Sequence, residues 1–253
     1  MTDAHAPTRS EAEVLHTNRR FYEALWSDAR LIAPERFNTW PLFGALARNA
    51  QRRLEVAPGL RPRLPLADTC FVDMSHAALR GLHRQGARTA HAMIGALPFP
   101  DAQFDLVCAL DILEHVVDDV GALAELARVA TPDATLLLSV PLDPTAWTAF
   151  DDFVGHYRRY EPAQIAAMLA AHGWRIERSA IYGMQPESSR LLDLGQWFLT
   201  HQRERAMWWY NRVFMPLGLR FQKPLAWRDG LGATAGVDEL LLVCRRGPAP
   251  AGA

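Results

Sequence analysis

The sequence predicts a doubly wound α/β domain with an N-terminal helical cap and a helical insertion before its last strand. Three observations carry the prediction. Residues Arg53 to Asp73 (RLEVAPGLRPRLPLADTCFVD) hold two short apolar runs, the first followed by a small-residue turn and the second closed by an acid. Phe104 to Leu110 and Thr135 to Val140 are apolar runs that suit parallel strands buried on both faces. Between the runs, apolar residues recur at helical spacing, and strands that alternate with helices pack as one covered parallel sheet.

Taken in order, Ala12 to Trp26 place Val14, Leu15, Phe21, Tyr22, Leu25 and Trp26 at helical spacing. Asn38 or Thr39 then starts a short helix through Leu46. These aromatic helices either pack on the sheet edge or form a lid, with Tyr22, Trp26, Asn38 and Trp40 as the lid candidates. After Gly59, Pro62 and Pro65 leave room for little helix. Ser75 caps a helix that ends near Gly86, and Thr89 to Ile94 form a third strand. Asp118 or Asp119 starts the helix between the two long apolar runs. A polar-aromatic segment, TAWTAFDDFVGHYRRYEP, precedes a helix from Pro162 through Ala171, stopped by Gly173. Trp174 to Ile181 alternate as a half-exposed strand, and Glu239 to Cys244 form the last one. The expected divisions are a cap at 1–50, a core at 51–182, an insertion at 183–236, the last strand at 237–246 and a disordered tail at 247–253.

With 253 residues and 49% hydrophobic composition the chain can bury one full core. A formal charge of −1 gives no footprint for nucleic acid. No apolar run approaches ~20 residues, so no membrane span is expected, and the N-terminal stretch is polar, with neither a basic n-region nor an apolar h-region. Cys70, Cys108 and Cys244 lie inside apolar runs and read as reduced core residues, which fits a cytoplasmic protein.

LEVAPG, FVDMS, ALPFPDAQFDLVCALDILEHV and TPDATLLLSVP resemble, in order and spacing, the core motifs of class I S-adenosylmethionine-dependent methyltransferases. GHYRRYEP, a helix and AHGWRIERS are similar to the segment after the fifth strand in many small-molecule members. The resemblance covers roughly Leu54 to Tyr182 and implies a Rossmann-like methyltransferase sheet with S-adenosyl-L-methionine as cofactor. It assigns Glu55 to the acid that orients the first loop, and Ala57, Pro58 and Gly59 to the loop under the methionine portion. It also implies Asp73 as the ribose acid with Met74 beside the adenine, Met93 and Ile94 at the adenine edge, and Leu110, Asp111 and Ile112 flanking the sulfonium. The chain departs from the pattern in three places: the loop keeps one glycine, with Ala57 at the first glycine position; Met93 replaces an acid; the connection after Gly59 is short.

Methyl transfer needs an aligned acceptor, exclusion of water and often a base. His115 and His156 are the candidate bases, since both follow carboxyl ends of central strands, where ligands bind in open α/β sheets. Arg159 and Tyr160 are candidates on the acceptor side, the alternative being an internal network with Asp151 and Asp152. The expected acceptor pocket is lined by Tyr22, Trp40, His115, His156, Arg159 and Tyr160. Asp111, Glu114 and His115 also resemble the acid-x-x-Glu-His metal motif of methyltransferases acting on vicinal hydroxyls; His156 would complete that set, and a divalent ion there would activate a hydroxyl.

The aromatic and arginine-rich insertion, including Trp197, Phe198, Met207, Trp208, Trp209, Tyr210 and Phe214, reads as a subdomain packed on the core, an acceptor lid, a homodimer face or a peripheral membrane contact. The functional expectation is methyl transfer to oxygen or nitrogen of a small-molecule acceptor. Its alternative is a catalytically silent methyltransferase-like binding or scaffold protein whose cofactor loop has degenerated.

Overall fold

The computed structural model describes residues 11–27, 29–183, 197 and 201–247. Helices α1 (Glu11–Ser27) and α2 (Trp40–Asn49) precede a core of β1 (Arg53–Val56), β2 (Thr69–Asp73), α3 (His76–His83), β3 (Arg88–His91), β4 (Phe104–Leu110), α4 (Asp119–Val129) and β5 (Ala130–Pro141). Helices α5 (Ala149–Val154) and α6 (Pro162–Ala171), strand β6 (Trp174–Ile181), helices α7 (Arg203–Trp209) and α8 (Met215–Arg220), and strands β7 (Arg228–Asp229) and β8 (Glu239–Arg246) follow. The eight strands form one sheet in the order β3-β2-β1-β4-β5-β8-β6-β7. Neighbours from β3 to β5 are parallel, and β8 enters antiparallel between β5 and β6.

Strand β4 shows why the sheet is covered twice. Leu106 and Cys108 pack with Phe43 and Ala47 of α2, whereas Val107 and Ala109 pack with Leu123 and Leu126 of α4 and Ile165 and Leu169 of α6. Strand residues alternate between faces, so a run apolar at every position needs a helical layer on each side. A third cluster, around Phe71, joins α1 through Phe21, Leu25 and Trp26 to α3 through Ala78 and Leu82.

Several boundaries follow from local chemistry. Ser75 Oγ accepts from the Ala78 N–H at the start of α3, and the Asp118 side chain accepts from the Gly121 N–H at the start of α4. Thr148 and Asp151 form a reciprocal capping box for α5, which Gly155 ends in the left-handed region at φ 81°. Thr39 stands at the start of α2, but its side chain makes no cap and its buried hydroxyl has no partner. Residues 57–68 turn repeatedly and contain no helix, as the two prolines require. The third strand is shorter than expected, ending at His91, and Ile94 beyond it is buried in the core.

The expected helical insertion is described only in part: residues 184–196, residues 198–200 (Phe198 among them) and the tail from 248 lie outside the described residues, and so does the side chain of Met207. The described part, α7 and α8, is joined by a π-helical turn at Tyr210–Phe214. Met215 and Leu219 pack against Phe37 and Ile32. Cys70, Cys108 and Cys244 are all unbridged.

Candidate active site

The carboxyl ends of β1, β2 and β4 converge where the sheet order reverses, between β1 and β4, which is where open α/β sheets bind ligands. Glu55 on β1 is buried, and its carboxylate accepts the N–H groups of Arg63 and Leu64 at 2.8 and 2.9 Å. Burial outweighs these bonds and the Arg63 charge, and raises its pKa to about 7. The loop after β1 places both Ala57 and Gly59 at positive φ, 55° and 57°. Alanine therefore holds a conformation that glycine adopts more cheaply.

Asp73, at the end of β2, ties this loop to the next helix. Its Oδ2 accepts from the Gly59 N–H at 3.0 Å and its Oδ1 from the Ser75 N–H at 2.7 Å. Burial raises its pKa against these bonds. Each oxygen keeps a lone pair for a hydroxyl donor. Met74 lies beside it, its carbonyl 3.1 Å from His91 Nε2, and Met93 is exposed.

Helix α1 roofs this edge. Trp26 lies over Gly59 so closely that a β-carbon there would come within 2.1 Å of the indole. Glu23 accepts from Ser75 Oγ at 2.6 Å and from the Ala77 N–H. Tyr22 stacks on Trp26 and brings its hydroxyl to 3.1 Å from His115 Nε2. Of the expected lid residues, Tyr22 and Trp26 thus reach the site. Asn38 instead donates to the Lys223 carbonyl, and Trp40 packs over Gly44 within α2.

At the end of β4, Asp111 takes up φ 51°, and its N–H donates to Ser139 Oγ at 2.9 Å. The Ser139 hydroxyl donates back to Asp111 Oδ1. Glu239, at the start of β8, lies against Asp111; burial, then the Asp111 charge and the hydrogen bond between the two carboxyl groups, raise its pKa well above the ordinary value. Glu114 is buried, and burial followed by Asp111 raises it likewise. Glu114 Oε2 and Glu239 Oε1 are buried without a hydrogen-bond partner. Arg63 closes this side, donating to the Tyr182 hydroxyl at 3.0 Å. Residue-by-residue reading missed Glu239, Arg63 and Tyr182. Only the pairing of β8 beside β5 carries Glu239 to this end of the sheet.

His115 and His156 meet here, ring centroids 4.6 Å apart. Asn18 Nδ2 approaches His115 Nδ1 at 2.7 Å, closer than the Gly155 carbonyl at 3.2 Å. The closer donor calls for a lone pair on Nδ1, so the proton resides on Nε2, facing Tyr22. Burial, then His156, push the His115 pKa well below its usual value, so this ring is neutral. At His156, Nδ1–H donates to Asp151 Oδ1 at 2.7 Å, and Nε2 lies 4.0 Å from Glu114 Oε1. Burial alone would raise Asp151, but the bonds from His156 and Arg159 hold it far below the carboxylate range.

Two expectations about acceptor contacts are corrected. Arg159 is buried and fully engaged: it donates to Asp151, to Asp238 and to the Leu142 carbonyl. Tyr160 is also buried, its hydroxyl donating to Asp119 Oδ2 at 2.9 Å. Both side chains hold the segment behind His156 in place. The expected metal set is brought together only in part. Glu114, His115 and His156 place ligand atoms within 4.8 Å of one another, while Asp111 is turned to Ser139 and Glu239.

Residues 55–138 match the family model described as a methyltransferase domain. A probable S-adenosylmethionine-dependent methyltransferase of Mycolicibacterium smegmatis is 30% identical over 91 residues, 34% of this chain and 35% of that protein. A probable chloroplastic tocopherol O-methyltransferase of Oryza sativa subsp. japonica is 49% identical over 41 residues, 16% of this chain and 11% of that protein. The matched stretches therefore span about a third of the first relative and about a tenth of the second. In fold, the chain is similar to an S-adenosylmethionine-dependent methyltransferase of Thermotoga maritima described as a possible histamine N-methyltransferase, with a TM-score of 0.57 and 13% identity over 92% of this chain and 99% of that one. Residues 55–138 thus match a methyltransferase domain, and over about a third of its length the chain is similar to a probable S-adenosylmethionine-dependent methyltransferase.

Proposed function

We propose that the protein transfers a methyl group from S-adenosylmethionine to an oxygen or nitrogen of a small-molecule acceptor, with His156 as the base. The observation that carries this reading is the Asp151–His156 pair at 2.7 Å, set at the carboxyl edge of the sheet beside buried, unpartnered carboxylate oxygens. Asp151 orients the imidazole and leaves its Nε2 lone pair available to an acceptor hydroxyl or amine. The Tyr22–His115 contact encloses the same space from α1.

The residues fit the cofactor. S-adenosylmethionine carries two cationic centres, an ammonium and a sulfonium, and the partnerless oxygens of Glu114 and Glu239 beside Asp111 suit a buried cation. Asp73 offers free lone pairs to ribose hydroxyls, with Met74, Met93 and Ile94 as the adenine surround and Ala57, Pro58, Gly59, Leu110 and Ile112 along the methionine portion. When bound, the cofactor supplies an activated methyl group on sulfur. The chain's own part is to align the acceptor, exclude water under α1 and take the acceptor proton at His156 Nε2.

A divalent ion on Glu114, His115 and His156 is a second reading, supported by the convergence of their ligand atoms. It requires His115 to move its proton to Nδ1, toward the Gly155 carbonyl.

Calorimetric titration with S-adenosylmethionine, followed by an acceptor screen with and without Mg²⁺, tests both. Micromolar binding, roughly −8 kcal/mol, is expected, and Asp73→Ala should abolish it. His156→Gln should bind the cofactor as the wild type does and lose on the order of 10²–10⁴-fold in turnover. No binding at millimolar cofactor would overturn the reading in favour of a silent scaffold. Turnover that needs the ion would favour the metal reading.

A further inference from the structure

Helices α7 and α8, with the π-helical turn between them, carry two apolar faces. One is buried, through Ala206, Met215 and Leu219. The other faces outward: Tyr210, Phe214, Leu217 and Phe221 are spaced by four, three and four residues, which sets them along one side. They are 36%, 58%, 51% and 71% exposed, and Trp208 and Trp209 beside them are half-exposed. An exposed stripe of this kind is uncommon on a protein that only meets water.

The charge around the stripe is one-sided. From His201 to Arg228 the chain has Arg203, Arg205, Arg212, Arg220, Lys223 and Arg228 against the single acid Glu204. Six cations less one acid give +5 for this stretch, in a chain whose total is −1. Aromatic residues on one face of a helix flanked by arginines form the pattern of a segment that lies in a bilayer interface. Each such cation is attracted to an anionic leaflet. A second copy is the poorer occupant, because a two-fold contact through this face would set like charge against like charge. Among the described residues no helix is long and apolar enough to cross a membrane, so attachment would be peripheral.

We infer that the α7–α8 face docks the protein on an anionic membrane surface. The docked helix would also touch the cofactor loop. Arg61 donates to the Tyr210 hydroxyl at 3.1 Å and to Asn211 Oδ1 at 3.2 Å, its guanidinium lies over the Trp26 and Tyr210 rings, and Asn211 donates to the Leu25 carbonyl. The inference stands on the helix alone and does not depend on the proposed reaction.

Co-sedimentation of the full chain with vesicles tests it, using phosphatidylcholine alone and phosphatidylcholine mixed with phosphatidylglycerol. The protein should pellet with the anionic vesicles only, and less so as salt rises. The triple variant Phe214→Ser, Leu217→Ser, Phe221→Ser should keep the wild-type melting temperature and lose on the order of tenfold in partitioning. Arg212→Glu with Arg220→Glu should lose at least as much. No pelleting with either vesicle would overturn the inference, as would equal pelleting with both or variants that bind unchanged. A dimer in sedimentation equilibrium that the triple variant dissolves would overturn it in favour of a second copy.

Discussion

At Gly59 two constraints meet: φ is +57°, and the space a β-carbon would fill belongs to the Trp26 indole. The backbone conformation alone costs an L-residue about 1–2 kcal/mol, and overpacking against the ring adds about 1–3 kcal/mol. Gly59→Ala should therefore lower stability by about 2–5 kcal/mol in urea denaturation. With Trp26→Ala in the background the steric part vanishes, so the two substitutions should be strongly non-additive. Additive effects would show that Trp26 does not occupy this position in solution. Read by residue, the glycine signalled a ligand-binding turn; the structure shows it also serves a protein contact, which has no sequence signature because Trp26 is far away along the chain.

At the scale of elements, α5 and the strand-like segment after it form a support for His156. Asp151 lies at the first turn of α5, bonded to Thr148, His156 and Arg159, and Arg159 reaches on to Asp238 next to β8. Asp151→Asn leaves the Arg159 guanidinium, 3% exposed, with only Asp238 as a charged partner. Breaking a buried pair from one side costs about 3–5 kcal/mol, and loss of that size is expected in urea denaturation at neutral pH. The effect should shrink in acid, because Asp151 is held ionised in the fold and its contribution is lost as pH falls below the ordinary carboxylate range. Elements with strong periodicity were legible: β4, α6 and β6 match their expected ends. The short α5 was not, since a six-residue helix fixed by a capping box shows no repeat, nor was β7, a two-residue edge. The inward turn of Arg159 and Tyr160 escaped for the same reason: adjacency in sequence to His156 says nothing about which side of the segment faces the sheet.

For the whole molecule, the antiparallel strand β8 is what completes the acid cluster. The start of an antiparallel strand lies at the carboxyl end of its parallel neighbours, so β8 delivers Glu239 beside Pro141, at the same edge as Asp111 and Glu114. The fold thereby gathers Glu55, Glu114 and Glu239 with pKa values raised by burial. A raised carboxylate binds more protons folded than unfolded, so stability should fall as pH rises from the ordinary carboxylate value of 4.5 through the folded values, about 7 for Glu55. Glu55 alone would contribute up to about 3 kcal/mol to that fall. Urea midpoints between about pH 5 and pH 8 check it, and Glu55→Gln should flatten the curve. A cationic cofactor favours the ionised acids, so its stabilisation should grow over the same range. In calorimetry its binding should release protons, a signal that scales with the buffer's ionisation enthalpy. Glu239→Gln should reduce the release while leaving the Glu55 slope in place. If stability stayed flat with pH and no protons were released, these acids would be ionised without the ligand, and the edge of the sheet would have to be open to water rather than poised to receive a cation.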